Sequence, residues 1–294
     1  MASSSAALRV AIAQIDSALG PPEANLDRHL DFVRRARAER AELLLFPEMS
    51  LTGHSAGSRA LEVAIPRDHA LVGEIARASG PMTTVFGLIE ESIAAQFHNT
   101  ALAVRDGGIV FEHRKVNLAT YGLLDDHKHF SAGRFVETFA LRDGWRGSVL
   151  ICNDLFNPAL VHLAAVHGAT ILLAPISSGL EAVGDGFDNP ASWDLCGRFF
   201  SMVYGLPVLL ANRVGQEGAL TFWGGSSVFD AAGKPVDRLD DTEGLLIAEL
   251  DYEQVRRARY ALPTVRDSNL DLIKREVDRL ADRVGVPDFL GRGG

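Results

Sequence analysis

Three side chains of complementary chemistry close three short strand-like runs in this chain. Cys152 follows Val149-Leu150-Ile151, Glu48 follows Leu43-Leu44-Leu45-Phe46-Pro47, and Lys115 follows Ile109-Val110-Phe111-Glu112-His113-Arg114. Each run reads as a strand, and Pro47, which has no N–H to give to a sheet, ends its own. In an open α/β sheet, ligands bind beyond the carboxyl ends of the strands. A thiol, a carboxylate and an ammonium delivered there suit a nucleophile served by a base and a cationic partner. Pro158 opens a helical stretch soon after Cys152, so the cysteine is expected near a positive helix end that favours thiolate over thiol. Taken singly, each residue has an ordinary explanation: a small core cysteine, a solvated loop glutamate, and Arg114-Lys115 as a basic surface pair. Their combination points to catalysis.

Phe46-Pro47-Glu48, Arg114-Lys115-Val116-Asn117-Leu118 and Cys152-Asn153-Asp154, in that order, resemble the three signature segments of the nitrilase superfamily of carbon–nitrogen hydrolases. The similarity runs from Arg9-Val10-Ala11-Ile12-Ala13-Gln14 to Arg257-Ala258-Arg259-Tyr260, nearly the whole chain. Each motif is weak alone; the ordered set is specific. The resemblance implies an α/β fold of the four-layer α-β-β-α sandwich type. It implies that Cys152 attacks an amide carbonyl and leaves a thioester, with Glu48 as general base. Lys115 and the backbone N–H of Asn153 would stabilise the oxyanion. The family's second glutamate, hydrogen-bonded to the lysine, falls on Asp126 when counted through Tyr121-Gly122-Leu123-Leu124-Asp125-Asp126. Aspartate is one methylene shorter, so either the loop comes closer or Asp125 serves instead.

Asn153-Asp154 after the cysteine resembles the amide- and carbamoyl-cleaving branches rather than the nitrile-cleaving one, which places a tryptophan and a glutamate there. Leu155-Phe156-Asn157-Pro158 is similar to glutaminase domains attached to NAD synthetases. An amidase is therefore expected first, an N-carbamoyl hydrolase next and a nitrilase last, with a partner-dependent glutaminase-like or scaffolding subunit as the alternative of a different class. Tyr121, His129, Ile176, Ser177 and Trp193 are candidates to line a substrate pocket, with ordinary loop packing as the alternative for each. No cofactor and no metal are expected, and the partner is a small amide or carbamoyl compound.

Composition sets limits. A chain of 294 residues with 47% hydrophobic content can bury one large core. Its net charge of −9 argues against nucleic acid and anionic membranes as partners. Two cysteines make no disulfide framework, and no apolar stretch suits a leader or a membrane span, so a cytoplasmic enzyme is expected. One domain is expected over 1–294, with its core at about 8–285 and a peripheral tail at 286–294. The resemblance implies a homodimer or larger homo-oligomer. Candidate contact surfaces are the helix near Pro190 to Tyr204, with Phe199, Phe200 and Met202 exposed, and the tail after Leu250.

The elements that would position these groups alternate along the chain. Strands are expected at Leu8–Ile15, Leu43–Phe46, Thr83–Glu90, Asn99–Arg105, Ile109–His113, Thr170–Ala174, Val208–Asn212, Ser226–Phe229 and Leu245–Leu250. Asp106-Gly107-Gly108 is a hairpin signal. Helices are expected at Asn25–Arg40, with Leu26, Leu30, Val33 and Ala36 on one face, at about Asp68–Ala78, after Pro158, and at about Pro190–Tyr204.

Other motifs carry less. Gly53-His54-Ser55-Ala56-Gly57 fits the letters of a serine-hydrolase elbow but lacks the strand that must run directly into it, and no histidine follows His167. Neither His127-Lys128-His129 nor His162 with His167 makes a metal motif. Gly184-Asp185-Gly186 reads as a flexible loop, and Cys196 as a core or interface residue.

Overall fold

The computed structural model describes residues 7–142 and 144–284. The tail expected at 286–294 lies outside them. The first half runs β1 (Ala7–Gln14), α1 (Glu23–Ala38), β2 (Leu43–Leu45), α2 (Ala60–Val63), α3 (Ala70–Ser79), β3 (Thr83–Ser92), β4 (Gln96–Arg105) and β5 (Gly108–Arg114). Then come β6 (Phe139–Arg142), β7 (Trp145–Val149), α4 (Pro158–Val166), β8 (Ile171–Pro175), α5 (Asn189–Tyr204) and β9 (Val208–Ala211). The chain continues through β10 (Val214–Glu217), β11 (Leu220–Trp223), β12 (Ser227–Phe229), β13 (Pro235–Arg238), β14 (Gly244–Asp251), α6 (Tyr252–Ala261) and α7 (Leu270–Val284).

Two six-stranded sheets result, ordered β14-β1-β2-β3-β4-β5 and β13-β12-β9-β8-β7-β6. The centres are parallel, β1-β2-β3 in one sheet and β7-β8-β9 in the other, and antiparallel strands flank them. β8 and β9 are apolar throughout because both of their faces are covered: all five residues of β8 and all four of β9 are buried. The pleat sorts β1. Val10 and Ile12 face the second sheet and join a core with Val149, Leu172 and Leu209, while Ala11 and Ala13 lie under α1 and α3 with Phe32, Val33 and Ile75. Leu160 and Val161 of α4 and Trp193 and Phe200 of α5 cover the other outer face. The layers are therefore α-β-β-α. Each buried Phe, Val or Ile side chain contributes about 1.5–3 kcal/mol.

Local chemistry sets the boundaries. At the β4–β5 hairpin, Asp106 (φ 50°) and Gly107 (φ 80°) both adopt the left-handed region, as a two-residue type I′ turn requires. Asn157 caps α4 by accepting the Ala159 N–H at 3.0 Å, with Pro158 in the first turn.

Several expectations change. The buried face of α1 is Asn25, His29, Phe32, Val33 and Ala36, with Leu26 and Leu30 only partly covered. A polar pair is accommodated there because Asn25 and His29 find buried partners, including Leu51 C=O and Ser50 Oγ. Phe200 is buried, whereas Phe199 and Met202 stay exposed, since a helix presents successive residues to different sides. The short strands β6, β10, β11 and β13 went unpredicted. All four residues of β13 are exposed, so its sequence has no apolar run to betray it.

Candidate active site

β2 and β5 point the same way in the first sheet, with β3 and β4 between them, so Glu48 and Lys115 leave from one edge. The Glu48 N–H donates to Ile176 C=O at 3.3 Å, tying the end of β2 to the loop after β8 in the opposite sheet. Gly87 of β3 lies close behind. A Cβ there would stand 2.3 Å from the Met49 nitrogen and 3.0 Å from the Glu48 carbonyl carbon.

Lys115 is 1% exposed, and its Nζ donates to Glu48 Oε1 at 2.8 Å and to Asp126 Oδ2 at 2.7 Å. Asn99 of β4 donates Nδ2 to the same Glu48 Oε1 at 2.8 Å. With Oε1 engaged twice, Glu48 Oε2 is left buried without a partner. Burial works against the Lys115 ammonium, but Glu48 and Asp126 outweigh it and raise its pKa well above the ordinary lysine value. Burial likewise opposes the Asp126 carboxylate, yet Lys115 and the Ala119 N–H hold its pKa below the usual range. It is Asp126 and not Asp125 that meets the lysine; Asp125 faces outward beside Lys128.

Cys152 follows the end of β7 with a left-handed φ of 46° and starts a single turn, Cys152–Asp154. The α-helix opens only at Pro158, six residues after Cys152 in the chain. Burial first, and the Glu48 carboxylate second, push the thiol well above its ordinary pKa, against Lys115 and the Ser177 N–H. Contrary to the thiolate expected, burial above all and the Glu48 charge after it favour the thiol over the thiolate at Cys152.

Asp154 locks this turn to the lysine loop. Its Oδ1 accepts the N–H groups of Val116 at 3.0 Å and Asn117 at 2.6 Å, and its Oδ2 accepts that of Ile151 at 3.1 Å. His113 Nε2 lies 2.9 Å from Oδ2. Asp154 and Asn99 went unassigned in the sequence. Asn99 carried one signal, an amide at the head of an otherwise strand-forming run.

The proposed lining residues separate. Tyr121 donates its hydroxyl to Asn153 Oδ1 at 2.9 Å, and burial pushes its pKa upward. The Asn153 Nδ2 donates to Asn117 C=O at 3.1 Å. Ile176 and Ser177 meet Glu48 and Cys152 through their backbones. His129 lies beside Asp125 at 3.6 Å and lines a cavity that also reaches Asp126. Trp193 does not line it: α5 turns this ring into the core against Phe156, centroids 4.4 Å apart. Among the described residues no group of three or more His, Cys, Asp or Glu side chains is placed to hold a metal ion. No helix among them is long and apolar enough to cross a membrane.

Two face-to-face sheets between helices, enclosing a thiol, an ammonium and a carboxylate just beyond strand ends and a second carboxylate from a loop, define a nitrilase-type fold. Residues 9–260 match the carbon–nitrogen hydrolase family, and the chain belongs to it. The structure is similar to that of an amidase from the nitrilase superfamily of Nesterenkonia, with a TM-score of 0.77 and 26% identity, covering 91% of this chain and 96% of that one. Mutants of that amidase have been seen with the acetamide moiety of fluoroacetamide on the active-site cysteine and in complex with acrylamide. In sequence the chain is 29% identical over 270 residues to the glutamine-dependent NAD(+) synthetase of Thermotoga maritima, covering 88% of this chain and 45% of the synthetase. It is 25% identical over 264 residues to the 2-oxoglutaramate amidase of Bacillus subtilis, covering 88% of this chain and 96% of that protein. The chain thus spans about half the length of the synthetases it matches.

Proposed function

We propose that this carbon–nitrogen hydrolase is an amidase that converts a small amide to its carboxylic acid and ammonia through a thioester on Cys152. The observation that carries the reading is the enclosure of Cys152 with Lys115, bonded to both Glu48 and Asp126, while Glu48 Oε2 stays free. Glu48 takes the thiol proton as sulfur attacks the carbonyl carbon, and the carbonyl π electrons move onto oxygen. Lys115 and the Asn153 N–H stabilise that oxyanion. Collapse returns the electron pair, breaks the C–N bond and expels ammonia with the proton held by Glu48. Water then attacks the thioester, again with Glu48 as base, and the acid leaves as the thiol is restored. Asp126 keeps Lys115 charged throughout.

The test is ammonia release from aliphatic, aromatic, ω-amide, N-carbamoyl and nitrile compounds by wild type and Cys152→Ala, with intact mass recorded for an acyl adduct. Cysteine-dependent release from amides, with an adduct on Cys152, is expected. Exclusive activity on N-carbamoyl compounds or nitriles overturns the amidase assignment, and silence throughout overturns the hydrolase reading for the isolated chain. A second reading, a glutaminase-like module dependent on a synthetase, is favoured by the kinship with NAD(+) synthetases. It predicts glutamine hydrolysis only in the presence of that partner.

The same proposal includes a single cytoplasmic domain and a homodimer through α5, where Leu195, Phe199 and Met202 are 66%, 47% and 47% exposed. Sedimentation as a monomer at micromolar concentration would sink the dimer.

A further inference from the structure

Asn99 lies near the head of β4, a strand that otherwise turns small apolar side chains toward the second sheet. Successive residues of a strand face opposite sides. Ala101 and Ala103, two and four residues on, belong to the core between the sheets, while Leu102 and Val104 belong to the core under the helices. Asn99 therefore points between the sheets, and it is 1% exposed. β4 runs antiparallel to β3 and β5, so its head meets the edge from which Lys115 leaves. There the Lys115 N–H donates to Asn99 C=O at 2.9 Å.

A buried amide costs stability unless its polar atoms are met, and only one end of this one is. Its Nδ2 donates to Glu48 Oε1 at 2.8 Å, while its Oδ1 is buried with no partner. Thr100, on the other face of the strand, is by contrast satisfied by Glu90 Oε2 at 2.8 Å. What the amide secures is the carboxylate. Lys115 Nζ also donates to Oε1, at 2.8 Å, so that oxygen already accepts two hydrogen bonds. Glu48 Oε2, buried and unpartnered, is the oxygen with room for a proton. Lys115 alone would hold this arrangement less firmly. It is shared with Asp126 at 2.7 Å, and in the reaction it must also meet the oxyanion.

We propose that Asn99 is a positioning residue that makes Glu48 a one-sided base: by occupying Oε1 it keeps the proton taken from Cys152 on Oε2, from which that proton passes to the departing nitrogen. As sulfur attacks, the S–H bond breaks and an Oε2–H bond forms. As the C–N bond breaks, the Oε2–H bond breaks and an N–H bond forms. Asn99 itself makes and breaks no covalent bond. Without its amide, Oε1 regains a lone pair, the proton can settle on either oxygen, and the carboxylate can turn. The inference rests on the amidase reading and adds to it the device that aims the base.

The experiment compares the best amide of the panel above with the p-nitrophenyl ester of the same acid. The two share an acyl group, but an amine must be protonated to leave and p-nitrophenolate need not be. Wild type, Asn99→Leu (similar in size, no donor) and Asn99→Gln (donor kept) are assayed, with active sites counted by the burst of p-nitrophenolate. In Asn99→Leu, kcat/KM for the amide should fall by roughly 10- to 100-fold with KM nearly unchanged, and for the ester by less than about fivefold. Asn99→Gln should recover part of the amide loss. Equal losses on amide and ester, or full amide activity in Asn99→Leu, overturn the inference and leave the amidase reading standing. If Asn99→Leu does not fold, Asn99→Ala takes its place. Should wild type release no ammonia from any amide, the amidase reading falls on its own. Crystals of the variant then decide the inference: a Glu48 carboxylate turned from its wild-type place supports it, and an unmoved one overturns it.

Discussion

Lys115 Nζ and Asp126 Oδ2 lie 2.7 Å apart, a contact made with a side chain one methylene shorter than the glutamate the resemblance implies. The loop itself makes up the difference. Asp126 gives its N–H to Ala119 C=O at 3.0 Å, accepts the Ala119 N–H on Oδ2 at 3.1 Å, and receives the Phe130 N–H on its own C=O at 2.8 Å.

If Asp126 only keeps Lys115 charged and aligned, Asp126→Asn should lower kcat by about tenfold, against roughly 10³-fold or more for Lys115→Ala, which removes an oxyanion partner. Steady-state kinetics on the best amide decide it. Equal losses would make the second carboxylate a direct participant.

Glu48→Gln should abolish turnover yet make the thiol more acidic. Burial and then Glu48 raise the Cys152 pKa, so neutralising Glu48 removes the second of these and leaves Lys115 to favour the thiolate. Alkylation by a small non-amide reagent followed against pH should rise at lower pH in Glu48→Gln than in wild type. An unshifted or upward-shifted profile would refute this account of the resting thiol.

Asp154→Ala should cost about 3–5 kcal/mol, because it strips the acceptor from the N–H groups of Ile151, Val116 and Asn117 and leaves His113 buried alone. Urea unfolding measures the loss, and a change under 1 kcal/mol would show that the two loops hold each other by packing.

His29 ties stability to pH. It is buried between Asn25 C=O and Ser50 Oγ, stacked on Phe46 at 4.4 Å, and burial lowers its pKa from 6.5 to about 4. Between those values the unfolded chain binds the proton and the folded one does not, so stability falls as pH falls from 6.5 to about 4, by on the order of 3 kcal/mol. His29→Gln should flatten that part of the stability curve measured by urea unfolding. An unchanged slope would place the acid sensitivity elsewhere.

Glu48 and Cys152 are legible in the sequence because short apolar runs, and for Glu48 a proline, mark where a buried strand stops; β5 before Lys115 is a partly exposed edge strand ending in Glu112-His113-Arg114, so there the order of the motifs is the signal. Glu48, Lys115 and Cys152 could be named on that ground together with the order of three motifs, as could the layered α/β fold. The strands that were missed have no such mark: Pro235–Arg238 lies exposed at a sheet edge and pairs through its backbone, which any composition allows.

Only the tertiary structure decided the electrostatics of the site. The resting thiol, the choice of Asp126 over Asp125, and the parts of Asn99 and Asp154 depend on which charges and N–H groups converge from different strands. Charge interactions inside a protein are set by distance and burial across the fold rather than by neighbours in the chain. His54 makes the same point. Its segment copies a serine-hydrolase elbow in letters alone, and its place beside Glu48 and Asp126 comes from Arg213 and Glu217, more than 150 residues further along.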